Sequence, residues 1–236
     1  MIEIQRRPEV DTSVLPAHLP DLLKRIYVSR GINSADQLET AAKGLHSYQK
    51  LGGIDAAVEL LFKAIQQQKR IIIVGDFDAD GATSTALMMS ALSMVGSKNH
   101  HFLVPNRFEY GYGLTPEIVD IAAGQGAQML VTVDNGISCV AGVKRAKALG
   151  LQVIVTDHHL PGHELPKADA IVNPNQVGCP FESKSLAGVG VAFYLMLALR
   201  THLRNHDYYK TRGIAEPNIA QLLDLVALGT VADVVS

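Results

Sequence analysis

Asp76, Asp78 and Asp80 alternate along the run Asp76-Phe77-Asp78-Ala79-Asp80-Gly81, which follows the apolar stretch Ile71-Ile72-Ile73-Val74. Two weaker versions of the pattern lie downstream. Met129-Leu130-Val131-Thr132-Val133 runs into Asp134, and Val153-Ile154-Val155-Thr156 runs into Asp157-His158-His159. Short β-branched runs of this kind read as buried parallel strands, whose carboxyl ends gather on one edge of an open α/β sheet where ligands bind. The five acids should therefore converge. Carboxylates so crowded repel one another and cannot all stay ionised unless cations neutralise them. Hard oxygen ligands with one or two imidazoles suit Mn or Mg, so the set reads as a site for two divalent cations. His158 and His159 follow directly on a strand end, so one imidazole can ligate metal while its neighbour, pointing elsewhere, reaches a phosphate oxygen or a leaving group.

The elements that must carry these residues are legible as a regular alternation. An amphipathic helix from Ile54 through Ala64 precedes strands expected at 71–75, 101–104, 129–133 and 151–156, with helices expected at 82–95, 116–123 and 138–149. Such alternation implies an α/β fold, a parallel β-sheet flanked by helices. Thr115-Pro116-Glu117 is a helix start with threonine as N-cap, proline in the first turn and an acid near the positive dipole end. After His159 a Pro-, Gly- and Asn-rich loop spans 160–187 with a strand candidate at Ala170-Ile171-Val172, and helices are expected at 190–203 and 218–229. Loops of this length in compact domains usually serve function. The first fifty or so residues differ: 20–30 reads as a helix, and Ser34-Ala35-Asp36-Gln37 resembles a capping box opening a second short one. The chain thus divides into a helical lead-in, 1–52, and an α/β domain, 53–236.

With 236 residues, 47% hydrophobic and 19% charged, the chain can bury one good core and is not disordered. No apolar stretch approaches the roughly 20 residues of a membrane span, and the opening MIEIQRRPEV lacks the apolar block of a signal peptide. A cytoplasmic protein is expected. Cys139 and Cys179 form no CxxC pair and are expected as free thiols. A net charge of −2 neither demands nor forbids a nucleic-acid partner. The apolar run 224–236 ends without a polar tail, from which a longer parent protein is expected.

Competing readings of the acidic run are weaker. An EF-hand loop needs a bidentate Glu at its twelfth position, where this chain has Leu87, and it is entered from a helix rather than from a strand. A haloacid-dehalogenase-type phosphatase begins with a strand and DxD but wants Thr or Val where Asp80 stands, and it assigns no role to Asp157-His158-His159. Acids that merely cap helices would explain Asp80 or Asp134 singly and leave the paired histidines without a role.

Together GDFDADG, VTVDNGIS, VTDHH and ALGTVADVV resemble the four motifs of the DHH phosphoesterase superfamily, over a span from about Ile71 to the end of the chain. PNRFEYGYGL (105–114), VNPNQ (172–176) and SLAGVGVAF (185–193) are similar to its RecJ branch, exonucleases that degrade single-stranded DNA from the 5′ end. The resemblance implies Asp78, Asp80, Asp134, His158 and Asp233 as metal ligands, with Asp134 as the bridge. Asp76 and Asp157 would be further ligands or would orient them. Related sites often carry a histidine four residues before the first DxD acid, and Val74 stands there. His159 is the candidate to contact the scissile phosphate or protonate the leaving oxygen, and Arg107 to add a guanidinium contact. Gly188 and Gly190 could offer backbone N–H groups to phosphate, and Tyr110 and Tyr112 could stack on bases. Expected partners are single-stranded DNA, a single-strand-binding protein and a helicase, with a DHH-associated domain and nucleic-acid-binding modules outside this chain. A small-molecule or oligoribonucleotide phosphoesterase, or an inactive DHH scaffold, are the alternatives.

Overall fold

The computed structural model of the chain describes residue 8, residues 10–39 and residues 44–235. Two compact units result, Met1–His46 and Ser47–Ser236. In the first, α1 spans Asp21–Ser29 and a 3-10 turn spans Ala35–Leu38. The capping box expected at Ser34 does not form. Its side chain makes no cap hydrogen bond, and Gln37 Oε1 instead accepts the Asn33 N–H at 2.8 Å. The short turn Tyr48–Lys50 packs on the helices of the second unit, which therefore begins ahead of residue 53.

The second unit is a five-stranded, all-parallel sheet. α2 (Ile54–Gln66) leads into β1 (Ile71–Val74), then α3 (Ala79–Met94), β2 (His100–Leu103), the single turn α4 (Arg107–Tyr110), α5 (Pro116–Gly124) and β3 (Met129–Val133). There follow α6 (Val140–Ala148), β4 (Gln152–Thr156), β5 (Ala170–Val172), α7 (Gly188–Asn205), α8 (Tyr208–Arg212), a 3-10 turn and α9 (Leu223–Ala232). α3 begins earlier than expected because Asp78 caps it, its Oδ1 accepting the Gly81 N–H at 2.9 Å. Thr115 caps α5 as its sequence implies. The last helix splits because Asn218 caps the 3-10 turn Ile219–Leu222 ahead of it.

Alternation along the strands divides the core into two layers. Ile71, Ile73, Met129, Val131, Val133 and Ile154 face one apolar cluster with α2, α3 and α7, whereas Ile72, Val74, Leu130, Val153 and Val155 face a second with α5 and α6. Both faces are covered, which is why β1, β3 and β4 are mostly apolar on both faces, with Thr132 and Thr156 as buried exceptions. Val74 belongs to the second cluster and is fully buried.

Strand order is β2-β1-β3-β4-β5. After β1 the chain crosses on the α3 side of the sheet, and after β3 on the α6 side. The crevice between the carboxyl ends of β1 and β3 is thus a topological switch point, where doubly wound sheets bind ligands. Asp76 and Asp134 stand immediately beyond those two strands.

Candidate metal centre

Each sequence-predicted acid is held by a local device. Asp134 leaves β3 in the left-handed region (φ 60°), a conformation in which aspartate is better tolerated than most residues. Asn135 behind it is fully buried and ties the two strand ends together, donating to Val74 O at 3.1 Å and Val133 O at 2.9 Å. Asp80, in the first turn of α3, accepts the N–H groups of Gly188 at 2.6 Å and Val189 at 2.8 Å. The N-terminus of α7 therefore holds a carboxylate of the site itself. Asp233 arrives on α9, whose close approach needs Gly229: a Cβ there would lie 2.7 Å from Val189 Cγ1 and 3.0 Å from Asp80 Oδ1.

His158 stands among these acids, its Nε2 3.1 Å from Asp134 Oδ1, 3.6 Å from Asp233 Oδ2 and 3.8 Å from Asp80 Oδ2. Three overlapping sets could each hold a cation, with ligand atoms mutually within 4.8 Å: Asp76, Asp78 and Asp134; Asp80, His158 and Asp233; and Asp134, His158 and His159. Asp134 and His158 are shared between sets. The donors fit divalent cations on a second ground, since His158 Nε2 and Asp134 Oδ1 are closed to solvent yet lack an aligned hydrogen-bond partner. Buried polar atoms of that kind are costly without a ligand.

Electrostatics agree with crowding. Burial pushes the Asp134 carboxyl up to about 7, opposed by His158 and reinforced by Asp80. Asp80 is raised by burial too, against the bonds from Val189 and Gly188. Burial works against protonation of His158, but the contact with Asp134 outweighs it and the imidazole is raised. These shifts describe a centre short of positive charge.

Asp157 orients the histidines. Its Oδ1 accepts the N–H groups of His158 and His159 and pairs with His159 Nδ1 at 2.7 Å, while Oδ2 accepts the Ile137 N–H at 2.8 Å. Burial opposes its ionisation, yet these bonds win and hold the carboxyl below its ordinary value. The same bond, working against burial, raises His159 to about 9. With Nδ1 engaged, His159 presents the other edge of its ring to a cleft of about 440 Å³ that Asp76, Asp78, Arg107, Tyr112 and Asp157 also line. The His158 and His159 carbonyls are held by Asn175 and by the fully buried Asn173, at 2.6 and 2.9 Å. Both asparagines lie in the VNPNQ segment (172–176) quoted from the sequence, which by itself assigns neither of them a role in holding the histidines.

Arg107 reaches the same cleft. Its Nη2 lies 3.0 Å from Asp76 Oδ2, and its guanidinium stacks 3.7 Å from the Phe77 ring centre and 5.2 Å from that of Tyr112. Tyr112 donates to Asp134 O at 3.2 Å and meets His159 edge-on. Two expectations need correction. Gly188 and Gly190 do not offer free N–H groups: Gly188 N–H donates to Asp80 and Gly190 N–H to Ala187 O at 2.9 Å, and both glycines are buried. Their lack of a side chain serves packing, since a Cβ on Gly188 would sit 2.7 Å from Asp134 Oδ1. Tyr110, unlike Tyr112, packs against the apolar cluster of α5 and α6.

A parallel sheet with carboxylates and a histidine pair at its switch point defines an α/β fold with a candidate divalent-metal centre, and residues 70–230 match the family model described as the DHH family, N-terminal domain. The chain belongs to the DHH family. It is 62% identical over 234 residues to the single-stranded-DNA-specific exonuclease RecJ of Escherichia coli, covering 99% of this chain and 41% of that protein. Among solved structures, exonuclease RecJ bound to manganese is similar at TM-score 0.67 and 35% identity, over 81% of this chain and 46% of that one. RecJ from Thermus thermophilus in complex with Mn2+ is similar at TM-score 0.67 and 32% identity, over 89% and 28% of the two chains. The chain thus spans about two fifths of the E. coli relative. Cys139 and Cys179 are free thiols, and no described helix is long and apolar enough to cross a membrane.

Proposed function

We propose that this chain carries the catalytic centre of a metal-dependent phosphodiesterase that removes nucleotides from the 5′ end of single-stranded DNA in repair and recombination. The observation that supports it most is the convergence of Asp78, Asp80, Asp134, His158 and Asp233, as ligands, at the β1/β3 switch point, in a chain 62% identical to a named exonuclease of that specificity. Mn or Mg would be held in two sites bridged by Asp134, and bound there the cations would neutralise phosphate oxygens and acidify an attacking water.

The chain's own residues do the rest. Asp157 fixes the His159 ring so that its outer edge meets the cleft, and keeps it protonated near neutral pH, so His159 can donate a proton to the leaving oxygen. Arg107, stacked on Phe77, presents its guanidinium beside Asp76 to the phosphate. The half-exposed ring of Tyr112 offers a base-stacking face, a contact that tolerates any sequence. Asp76 steers Arg107 and adds to the first cation set. A cytoplasmic setting with a single-strand-binding protein and a helicase as partners accords with this reading.

Turnover on single-stranded, duplex and dinucleotide substrates labelled at either end is the test. Mn-dependent release of mononucleotides from the 5′ end of single strands alone is the expected result. Equal or faster cleavage of dinucleotides would move the assignment to a small-molecule phosphoesterase, and no cleavage with any divalent ion would point to a scaffold.

A further inference from the structure

The six phenylalanines fall into two groups by burial. Phe62, Phe181 and Phe193 belong to the apolar core, whereas Phe77, Phe102 and Phe108 are 49%, 58% and 97% exposed. Two of the exposed three adjoin Arg107. Phe77 stands between Asp76 and Asp78, which line the cleft, and its ring centre lies 3.7 Å from the Arg107 guanidinium. Phe108 follows Arg107 directly on the single turn α4. A phenylalanine with almost none of its ring covered adds nothing to folding, since apolar area left in water contributes no burial free energy.

The exposure of Phe108 is built into the turn. Asn106 caps α4 by accepting the Phe108 N–H at 3.1 Å, and Gly111, at φ 76°, ends it. Within this turn the side chains part company: Arg107 reaches Asp76, Tyr110 packs against the apolar cluster of α5 and α6, and Phe108 is left in water. The core thus takes Tyr110, a stacking candidate by sequence, and leaves the ring two residues earlier free. Tyr112, 43% exposed, lies 5.2 Å from the same guanidinium. Three exposed or half-exposed rings therefore accompany one arginine beside the acidic centre.

Rings exposed beside a guanidinium are the means by which proteins hold unpaired nucleic acid without reading its sequence, the cation meeting phosphate and the rings taking bases. Phe108 also stands among the exposed polar residues Asn106, Arg107 and Glu109, not in the continuous apolar area that a protein partner requires. We infer that Phe108 is a stacking platform for an unpaired nucleobase, next to the phosphate that Arg107 contacts, and that it favours single strands because a duplex keeps its bases stacked inside. Phe108 takes this role only if single-stranded DNA is the substrate, as proposed.

The chain has no tryptophan, so Phe108→Trp places a single fluorescent indole at this position. Because the native ring is 97% exposed the replacement should fold normally, which a thermal melt checks. The Mn2+-loaded variant is titrated with oligothymidylate carrying phosphorothioate linkages, which resist hydrolysis, with the same strand made abasic, and with a blunt duplex. Quenching by oligothymidylate and by neither of the others is the expected result. In fluorescence anisotropy with a labelled strand, Phe108→Ala should bind about tenfold more weakly than wild type, and Phe108→Tyr should restore the affinity. Equal affinity of Phe108→Ala and wild type would overturn the platform while leaving the substrate assignment intact, and equal quenching by the thymidylate and abasic strands would do the same. An indole that responds to protein concentration instead of to the strand would give the ring to a second copy of the chain and overturn it as well. If neither wild type nor variant binds any strand, single-stranded DNA is not the substrate and Phe108 loses this role with it.

Discussion

The N–H of Gly188 donates to Asp80 Oδ2 at 2.6 Å, and a Cβ on the same glycine would stand 2.7 Å from Asp134 Oδ1. One backbone position thus touches two carboxylates, one in the first turn of α3 and one at the end of β3. Gly188→Ala should push Asp134 aside, at a cost of about 1–3 kcal/mol in stability. Mn2+ affinity should fall with it. Urea unfolding and Mn2+ titration of the variant check both, and unchanged affinity would show that Asp134 has room to move.

Asp134 itself gives a prediction with a sign. A carboxyl raised to about 7 from its ordinary 3.8 favours the folded state in its protonated form, so its contribution is complete below about pH 3.8 and is lost as pH rises through about 7. In chelator at pH 8, Asp134→Asn should therefore melt above wild type, and the gap should close toward pH 4. Asp134→Ala should gain less, because the left-handed backbone at this residue (φ 60°) costs alanine about 1–2 kcal/mol. Both variants should lose metal-dependent cleavage. A wild type that outlasts Asp134→Asn at pH 8 in chelator would contradict the crowding argument.

His159 titrates in a different window. Its value is raised from 6.5 to about 9 by Asp157, so the stability it contributes is complete below about pH 6.5 and is lost between there and pH 9. The melting-temperature difference between wild type and His159→Gln in chelator should accordingly be constant up to pH 6.5 and shrink above it. A difference that grows with pH would reverse the sign and remove Asp157 as its cause.

The adjacent histidines should separate in kinetics. His159→Ala is expected to lower turnover about 10²–10⁴-fold with metal affinity nearly retained, as for loss of a proton donor. His158→Ala should weaken Mn2+ binding first, because His158 Nε2 lies within 4 Å of three carboxylates while His159 Nδ1 is tied to Asp157. Calorimetry beside single-turnover rates distinguishes them, and equal loss of Mn2+ affinity in the two variants would refute the division.

Much of this was legible along the chain. The apolar runs at 71–74, 129–133 and 152–156, the acids that end them, and the cap at Thr115 all follow from near neighbours, because strand periodicity and helix capping are local properties. Strand order is not local. Several runs of equal apolarity could have paired in other ways, and only packing on both faces placed β1 beside β3, making the switch point at which Asp76, Asp78 and Asp134 meet. The partner of Asp80 was hidden for the same reason, since the N–H groups of Gly188 and Val189 reach it from over a hundred residues away. A glycine pair at a helix start looks like a phosphate cradle in sequence. Tertiary packing gave the Gly188 donor to Asp80 and the Gly190 donor to Ala187 O instead, and the cleft is lined by side chains such as Arg107 and His159.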